Sequence, residues 1–256
     1  MTTRLDEILD QINKNGTVEV LDLAQQFDVT EQTVRRDLAT LCQRGLATRM
    51  HGGARRLTTN VSQNYDARRM NNIGAKSEIA AAAAALIPNG ASVMLNIGTT
   101  TEQVASSLTK HKNLSVITNN TNILQIFRET KLNTLVQVGG TVRQSDGAII
   151  GEEAVEHIAR YKADFAVIGA SAIDDDGDVL DFDAREVAVA RAILKNARTK
   201  ILVIDSAKFE VGAPVRITSI TDLDFVVTNA RPSNAFHKLA VASGTQLVVT
   251  SSPDDK

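Results

Sequence analysis

Apolar residues recur near the start of the chain with helical spacing. Leu5, Ile8, Leu9 and Ile12 form one stripe of an amphipathic helix. Val18 and Val20 flank Glu19 in the alternation of a short strand. A second short helix is predicted over 22–27, and after Asp28 and Val29 a third begins at Thr30. In that third helix Val34, Leu38 and Leu41 recur at i, i+4 and i+7, while Gln32, Thr33, Arg35 and Arg36 occupy the opposite face. Thr30 fits the N-cap, where its hydroxyl accepts from an otherwise unpaired backbone N–H. Residues 47–56 read as a β segment, a Gly52-Gly53 turn and a basic return, a two-stranded wing. Helix, strand, helix, helix and wing together predict a winged helix-turn-helix over residues 1–57.

The pattern then changes. Residues 58–75 are largely polar and lack a period, as a linker does, and from residue 76 to 256 helix and strand signals alternate. Helices are predicted over 77–86, 102–110, 122–129 and 184–196. Strands are predicted over 92–97, 114–118, 134–138, 165–169, 200–204, 225–228 and 246–249. Helices alternating with short β-branched runs predict an α/β domain built on a largely parallel sheet.

Charge gives the first domain a function. Residues 31–56 hold six arginines against Glu31 and Asp37, a net of +4, whereas residues 1–30 hold two bases against six acids, a net of −4. One positive and one negative end is the electrostatic footprint of a DNA-binding module, hidden in a whole-chain charge of −2. Arg49, His51 and Arg55 on the wing are placed to meet the DNA backbone or minor groove. A solvated helix and hairpin would carry similar residues, but not this polarisation.

Ligands of parallel α/β sheets lie beyond the carboxyl ends of the strands. Here those ends read Asn96-Ile97-Gly98-Thr99-Thr100-Thr101, Thr118-Asn119-Asn120-Thr121-Asn122, Gly139-Gly140-Thr141-Val142-Arg143 and Asp205-Ser206-Ala207-Lys208-Phe209. Glycine permits close backbone approach, threonine and asparagine supply polar groups, and helix N-termini favour anions. Lys208 adds a cation suited to phosphate. Together the loops predict a small-anion pocket, although each one separately is an ordinary helix start.

Several chemistries are excluded. The run Asp174-Asp175-Asp176-Gly177-Asp178 fails as a calcium loop, because Val179 and Arg185 stand where glycine and glutamate are required. It reads as a tight turn, with Asp181, Asp183 and Glu186 near a helix start where the dipole favours carboxylates. One cysteine, Cys42, rules out an internal disulfide and fits a cytoplasmic protein. Four scattered histidines give no metal-ligand spacing, and no cofactor fingerprint is present. The alanine run at 80–85 is too short and weakly apolar to span a bilayer, and no signal peptide opens the chain.

Residues 1–57 resemble the DNA-binding domain of the DeoR family of bacterial repressors. The resemblance is carried by Thr30, Thr33-Val34-Arg35-Arg36-Asp37-Leu38 and His51-Gly52-Gly53-Ala54. The remainder is similar to that family's sugar-phosphate sensor domain, which implies a fold like ribose-5-phosphate isomerase. The stretches Asp146–Glu152 and Asp176–Val187 resemble a branch of the family that responds to glycerol 3-phosphate. The resemblance implies double-stranded operator DNA and a small phosphorylated effector, glycerol 3-phosphate or a sugar phosphate, as partners. It further implies that Gly98, Thr99 and Thr100 hold the phosphate with Lys208, and that Asn119, Asn120, Gly139 and Gly140 line the pocket. Members usually carry aspartate where this chain has Asn96, so a hydroxyl acceptor loses its charge there. Ser206 and Ala207 also stand where the family often has histidine and serine.

The rival is a sugar-phosphate isomerase carrying a DNA-binding domain. Isomerisation needs a carboxylate base, and the isomerases supply it from an acid-rich stretch after a strand. This chain has Gly169-Ala170-Ser171-Ala172-Ile173 there, with no acid before Asp174. No catalytic residue is therefore assigned, and a structural scaffold leaves the convergent loops unexplained. The expected mechanism is repression by a homodimer or tetramer, with Thr30, Gln32, Thr33, Arg35, Arg36, Arg49 and His51 at the DNA.

Overall fold

The computed structural model describes residues 4–43, 46–50, 52–56 and 65–250. The chain divides into two compact units, Met1–Thr59 and Asn60–Lys256.

In the first unit the elements run α1 (Arg4–Asn15), β1 (Thr17–Glu19), α2 (Val20–Gln26), α3 (Glu31–Gln43), β2 (Ala47–Met50) and β3 (Gly53–Arg56). The stripes read from the sequence meet in one core of Ile8, Ile12, Leu23, Val34, Leu38 and Leu41. Each such side chain contributes roughly 1.5–3 kcal/mol on burial. Arg4 Nε donates to Asp37 Oδ2 at 2.7 Å, tying α1 to α3. Two expectations change. Val20 opens α2 rather than closing a strand, and the wing has a third strand, because β1 pairs with β3 in a sheet of order β1-β3-β2. Gly53 permits that pairing: a Cβ there would lie 2.0 Å from the Val18 carbonyl oxygen.

The second unit opens with α4 (Tyr65–Met70) and α5 (Ile73–Ala85). Residues 65–75, expected as linker, are therefore helical apart from the Asn71-Asn72 joint, while 57–64 lie outside the described residues. Next come β4 (Ser92–Leu95), α6 (Thr99–Leu108), β5 (Ser115–Thr118), α7 (Thr121–Phe127), β6 (Thr134–Gln137), β7 (Thr141–Arg143), β8 (Ala148–Ile150) and α8 (Glu152–Ile158). The chain continues through β9 (Ala163–Ile168), β10 (Ala172–Ile173), β11 (Asp178–Asp181), α9 (Ala184–Lys195) and β12 (Ala197–Val203). It ends with β13 (Val215–Ser219), β14 (Phe225–Thr228), α10 (Asn234–Ser243) and β15 (Gln246–Val249).

Seven of these strands form one sheet of order β15-β14-β12-β9-β4-β5-β6, and every pairing in it is parallel. Continuous apolar runs such as Val93-Met94-Leu95 and Ala166-Val167-Ile168 suit strands covered on both faces. Residues of α5, α6 and α7 pack on one face around Val93, Leu95 and Val116. Residues of α8, α9 and α10 pack on the other around Met94, Ala166 and Leu202. The strand order reverses between β4 and β9, the switch point beyond whose carboxyl ends parallel α/β sheets bind their ligands.

Two small hairpins stand beside that rim. β7 pairs with β8, and Ile149 N donates to Asn119 O at 2.7 Å, which lays the hairpin over the loop after β5. β10 pairs with β11 through the acidic turn, where Gly177 adopts a φ of +89° and its N–H bonds Asp174 O.

Candidate functional site

On α3 the apolar stripe fixes which side chains face outward. Val34, Leu38 and Leu41 are buried, leaving Gln32, Arg35 and Arg36 exposed together. Thr30 acts as the N-cap, its Oγ1 accepting from Thr33 N at 3.3 Å and lying 2.9 Å from Thr33 Oγ1. Arg35 Nη2 donates to Glu31 Oε2 at 2.8 Å, an exposed pair that holds the guanidinium along the helix. Arg49 is exposed on β2. His51 lies outside the described residues.

At the sheet rim, Asn96 and Asn119 directly follow β4 and β5. Met94 and Ile117 are cross-strand partners and pack into the same core, so the residues two places on point to that same side. Both asparagines are buried, and neither Oδ1 has a hydrogen-bond partner. Gln137 Oε1 at the end of β6 and Thr228 Oγ1 at the end of β14 are likewise buried and unpartnered. Buried polar atoms are normally paired; of these four, Asn96 and Asn119 stand on adjacent strands, while Gln137 and Thr228 lie towards opposite sides of the sheet.

Gly98 turns the chain from β4 into α6 with a φ of +133° and offers no side chain to cap the helix. Thr99 and Thr100 are half-buried in that first turn, whose backbone N–H groups suit an anion. Thr101 instead turns its hydroxyl back to Gly98 O at 2.7 Å.

Three expected lining residues have structural work. Asn120 Oδ1 accepts from Asn122 N at 2.9 Å as the cap of α7, and its Nδ2 donates to Glu102 Oε1 at 2.9 Å. Gly139 N donates to His157 Nδ1 at 2.8 Å. Gly140 has a φ of +137°, and a Cβ there would press on Ile149 Cγ2 at 3.0 Å and Ala154 N at 3.3 Å.

Near this rim lie Arg68 and Asn72, which the sequence reading left in the linker, and Lys76, the first residue it gave to the α/β domain. Lys76 is buried and its Nζ donates to the carbonyls of Arg68 and Asn71, closing the end of α4. Asn72 Nδ2 reaches Asp205 Oδ2 at 3.0 Å in the loop after β12. Lys208 sits in the 3-10 turn Ser206–Glu210, which Asp205 caps through Ala207 N at 2.9 Å. Burial is the largest influence lowering the ammonium pKa of both lysines; Asp205 opposes it, while Arg68 adds like charge to each. Arg68, Lys76 and Lys208 therefore share one electrostatic neighbourhood with Asp205. The readable signal was Arg68 and Lys76, eight residues apart with a joint of two asparagines between them.

A second network borders the first. Arg143 donates to Asp146 at 2.6 and 2.9 Å, to Asp183 at 3.1 Å and to Glu186 at 2.7 Å. Arg68 Nη2 stands 3.7 Å from Asp146, and its buried Nε is unpartnered. With several acids around one guanidinium, Glu186 is pushed up to about 8, chiefly by burial and then by the charge of Asp181, with Arg143 opposing. Burial also raises Asp181, which accepts from Ser171 Oγ at 3.0 Å and Phe182 N at 2.7 Å. The stretch after β9 thus has an acid beside it in space, supplied by β11. Asp183 caps α9 through Arg185 N at 2.9 Å, the role expected for it. Tyr65 Oη donates to the buried Glu102 Oε2 at 2.5 Å, which fastens α4 to α6.

Residues 4–60 match the DeoR-like helix-turn-helix domain, and residues 71–230 match the DeoR C-terminal sensor domain. The chain belongs to the DeoR family. Among DeoR-family relatives, the glycerol-3-phosphate regulon repressor of Escherichia coli (strain K12) is 38% identical over 231 residues, covering 90% of this chain and 92% of that protein. The HTH-type transcriptional repressor CsqR of the same organism is 33% identical, covering 96% of this chain and 94% of that one. Ribose 5-phosphate isomerase A from Methanocaldococcus jannaschii is structurally similar at a TM-score of 0.40 and 15% identity, over 54% of this chain and 55% of that chain. No helix among the described residues of this DeoR-family chain is long and apolar enough to cross a membrane.

Proposed function

We propose that this chain is a ligand-gated transcriptional repressor whose sensor binds a small phosphorylated metabolite, with glycerol 3-phosphate the first candidate. The observation that carries the reading is that Arg68, Lys76 and Lys208 share one neighbourhood with Asp205, with Glu102, Asp146 and Asp181 as the further acids acting on them. Lysines whose charge is disfavoured by burial and by a neighbouring cation, Arg68 in both cases, gain most from a dianion. The uncapped start of α6 at Gly98, Thr99 and Thr100 adds backbone donors. A relative that shares 38% of its residues carries glycerol 3-phosphate in its name, which ranks that compound ahead of sugar phosphates.

At the other end, Gln32, Thr33, Arg35 and Arg36 enter the major groove, with Thr30 fixing the helix start and Arg49 and His51 against the backbone. A good bidentate arginine–guanine pair gives about 1–3 kcal/mol of discrimination. One module reads few bases, so a homodimer or tetramer on repeated half-sites is the working form. Effector alters repression only if it binds the DNA-competent and DNA-incompetent states with different affinity.

The sensor binds without turnover in this reading. Asp181, beside the stretch after β9 through Ser171, accepts from Ser171 Oγ and the Phe182 N–H, which leaves it poorly disposed to shuttle a proton. Titrating operator-bound protein with sn-glycerol 3-phosphate and several sugar phosphates tests the proposal. It fails if no compound changes operator affinity, and turnover of ribose 5-phosphate that vanishes in Lys208→Ala would favour the isomerase instead.

A further inference from the structure

We propose, resting on the phosphate reading of this rim, that α4 is a strap whose docking on the sensor is strengthened by effector, and that operator is bound from a minor state in which the strap is free. Its ties reach the elements that build the site. Tyr65 Oη donates to Glu102 Oε2 at 2.5 Å in the first turn of α6 and accepts from Asn122 Nδ2 at 3.0 Å at the start of α7. Arg68 Nη2 stands 3.7 Å from Asp146, between β7 and β8. Asn72 holds Asp205 after β12, and Lys76 Nζ donates to the carbonyls of Arg68 and Asn71. These ties are polar. Ala67, Arg69 and Met70 are exposed, so α4 buries no broad apolar face. The net gain of a hydrogen bond exchanged with water is small, and ordering residues 65–72 opposes it. An element held in this way opens more readily than a packed helix.

Charge makes that opening depend on the ligand. Docking brings Arg68 into the neighbourhood of Lys76 and Lys208, where its charge acts against both ammonium groups. Without an anion this repulsion works against the strap; a phosphate dianion among the three cations turns it into attraction. The effector therefore binds the docked state more tightly than the free one, which is the differential affinity that coupling requires. Residues 57–64 lead from the DNA-binding unit into α4. Freeing residues 65–72 as well would lengthen that connection by up to about 26–29 Å. Half-sites one helical turn apart are separated by roughly 34–36 Å, so the added reach bears on whether an oligomer engages both. Even where the docked state predominates, operator affinity scales with the fraction that is free.

Hydrogen exchange of the full chain, read on peptides covering residues 65–72, tests the strap with sn-glycerol 3-phosphate, ribose 5-phosphate and inorganic phosphate, while calorimetry reports whether each binds. A compound that binds should slow exchange there about tenfold or more. Operator affinity without effector should rise about threefold or more in Tyr65→Phe, which removes the tie to Glu102 and leaves the cations of the site in place. The same sign should appear in Asn72→Gly, which releases Asp205 and suits the left-handed joint. If Tyr65 only supported the fold, its loss would lower operator affinity or leave it unchanged, and either result overturns the proposal. Binding that leaves exchange at residues 65–72 unaltered also overturns it, with the phosphate site then standing without the strap. If none of the three compounds binds, the phosphate reading itself fails and the strap falls with it.

Discussion

Asn72 and Asp205 stand 133 positions apart in sequence, yet the amide of the first donates to both carboxylate oxygens of the second, at 3.0 and 3.3 Å. Asn72 also adopts a left-handed φ of +52° in the joint between α4 and α5. Two contributions can be separated by substitution. Asn72→Gly loses the tether but suits the backbone, whereas Asn72→Ala loses the tether and carries a Cβ in a conformation that costs about 1–2 kcal/mol. The alanine variant should be the less stable by about 1 kcal/mol in urea unfolding.

Lys208→Ala should weaken effector binding about tenfold or more, as expected when a charge-assisted hydrogen bond worth about 1.5–3 kcal/mol is lost. Operator affinity without effector should stay at the wild-type level. Calorimetry and a mobility-shift titration measure the two effects separately.

The Glu186 carboxyl rises from 4.5 to about 8 in the folded chain, so between those values the native state holds a proton that the unfolded chain has released. Its contribution is full below pH 4.5 and is lost as pH rises towards about 8. Asp181, raised by the same burial, acts with the same sign. Glu186→Gln should therefore flatten the fall in melting temperature across that interval, and a decline as steep as wild type would show that other groups set it.

Replacing Arg36 with alanine should weaken operator binding by about 1–3 kcal/mol if it reads a base. If it meets only phosphate, binding weakens equally on all sequences and the salt slope falls by about 0.9. Binding measured over several salt concentrations, on operator and on unrelated duplex, tells these apart.

Gly53→Ala should destabilise the DNA-binding unit by at least about 1–3 kcal/mol, because the new methyl would sit 2.0 Å from Val18 O and force β1 away from β3. Operator binding should drop while the effector still binds. Wild-type operator affinity would mean that β1 moves without consequence.

Elements whose hydrophobic period was long were legible from sequence alone. The stripe of α3 and the apolar runs of β4, β9 and β12 repeat over enough residues to declare themselves. The hairpins β7–β8 and β10–β11 were missed, because strands of two to four residues carry almost no period and are held by distant partners such as Asn119. Helix α4 was missed for a related reason. Its sequence Tyr-Asp-Ala-Arg-Arg-Met is mostly polar, and what holds it is Tyr65 on Glu102 and Lys76 on its last carbonyls. Asn120 shows the opposite error: its residue type suited a pocket, but both ends of its amide are occupied by the scaffold.

Because α4 is fastened to the sensor by Tyr65, Asn72 and Lys76, the place where the polypeptide is cut decides whether an isolated sensor works. A fragment starting at residue 76, where the helical period becomes obvious, discards Arg68 and takes Tyr65 from Glu102 and Asn72 from Asp205. One starting ahead of Tyr65 carries the whole cation cluster with it. Limited proteolysis should accordingly trim the sensor to a stable product that retains Tyr65.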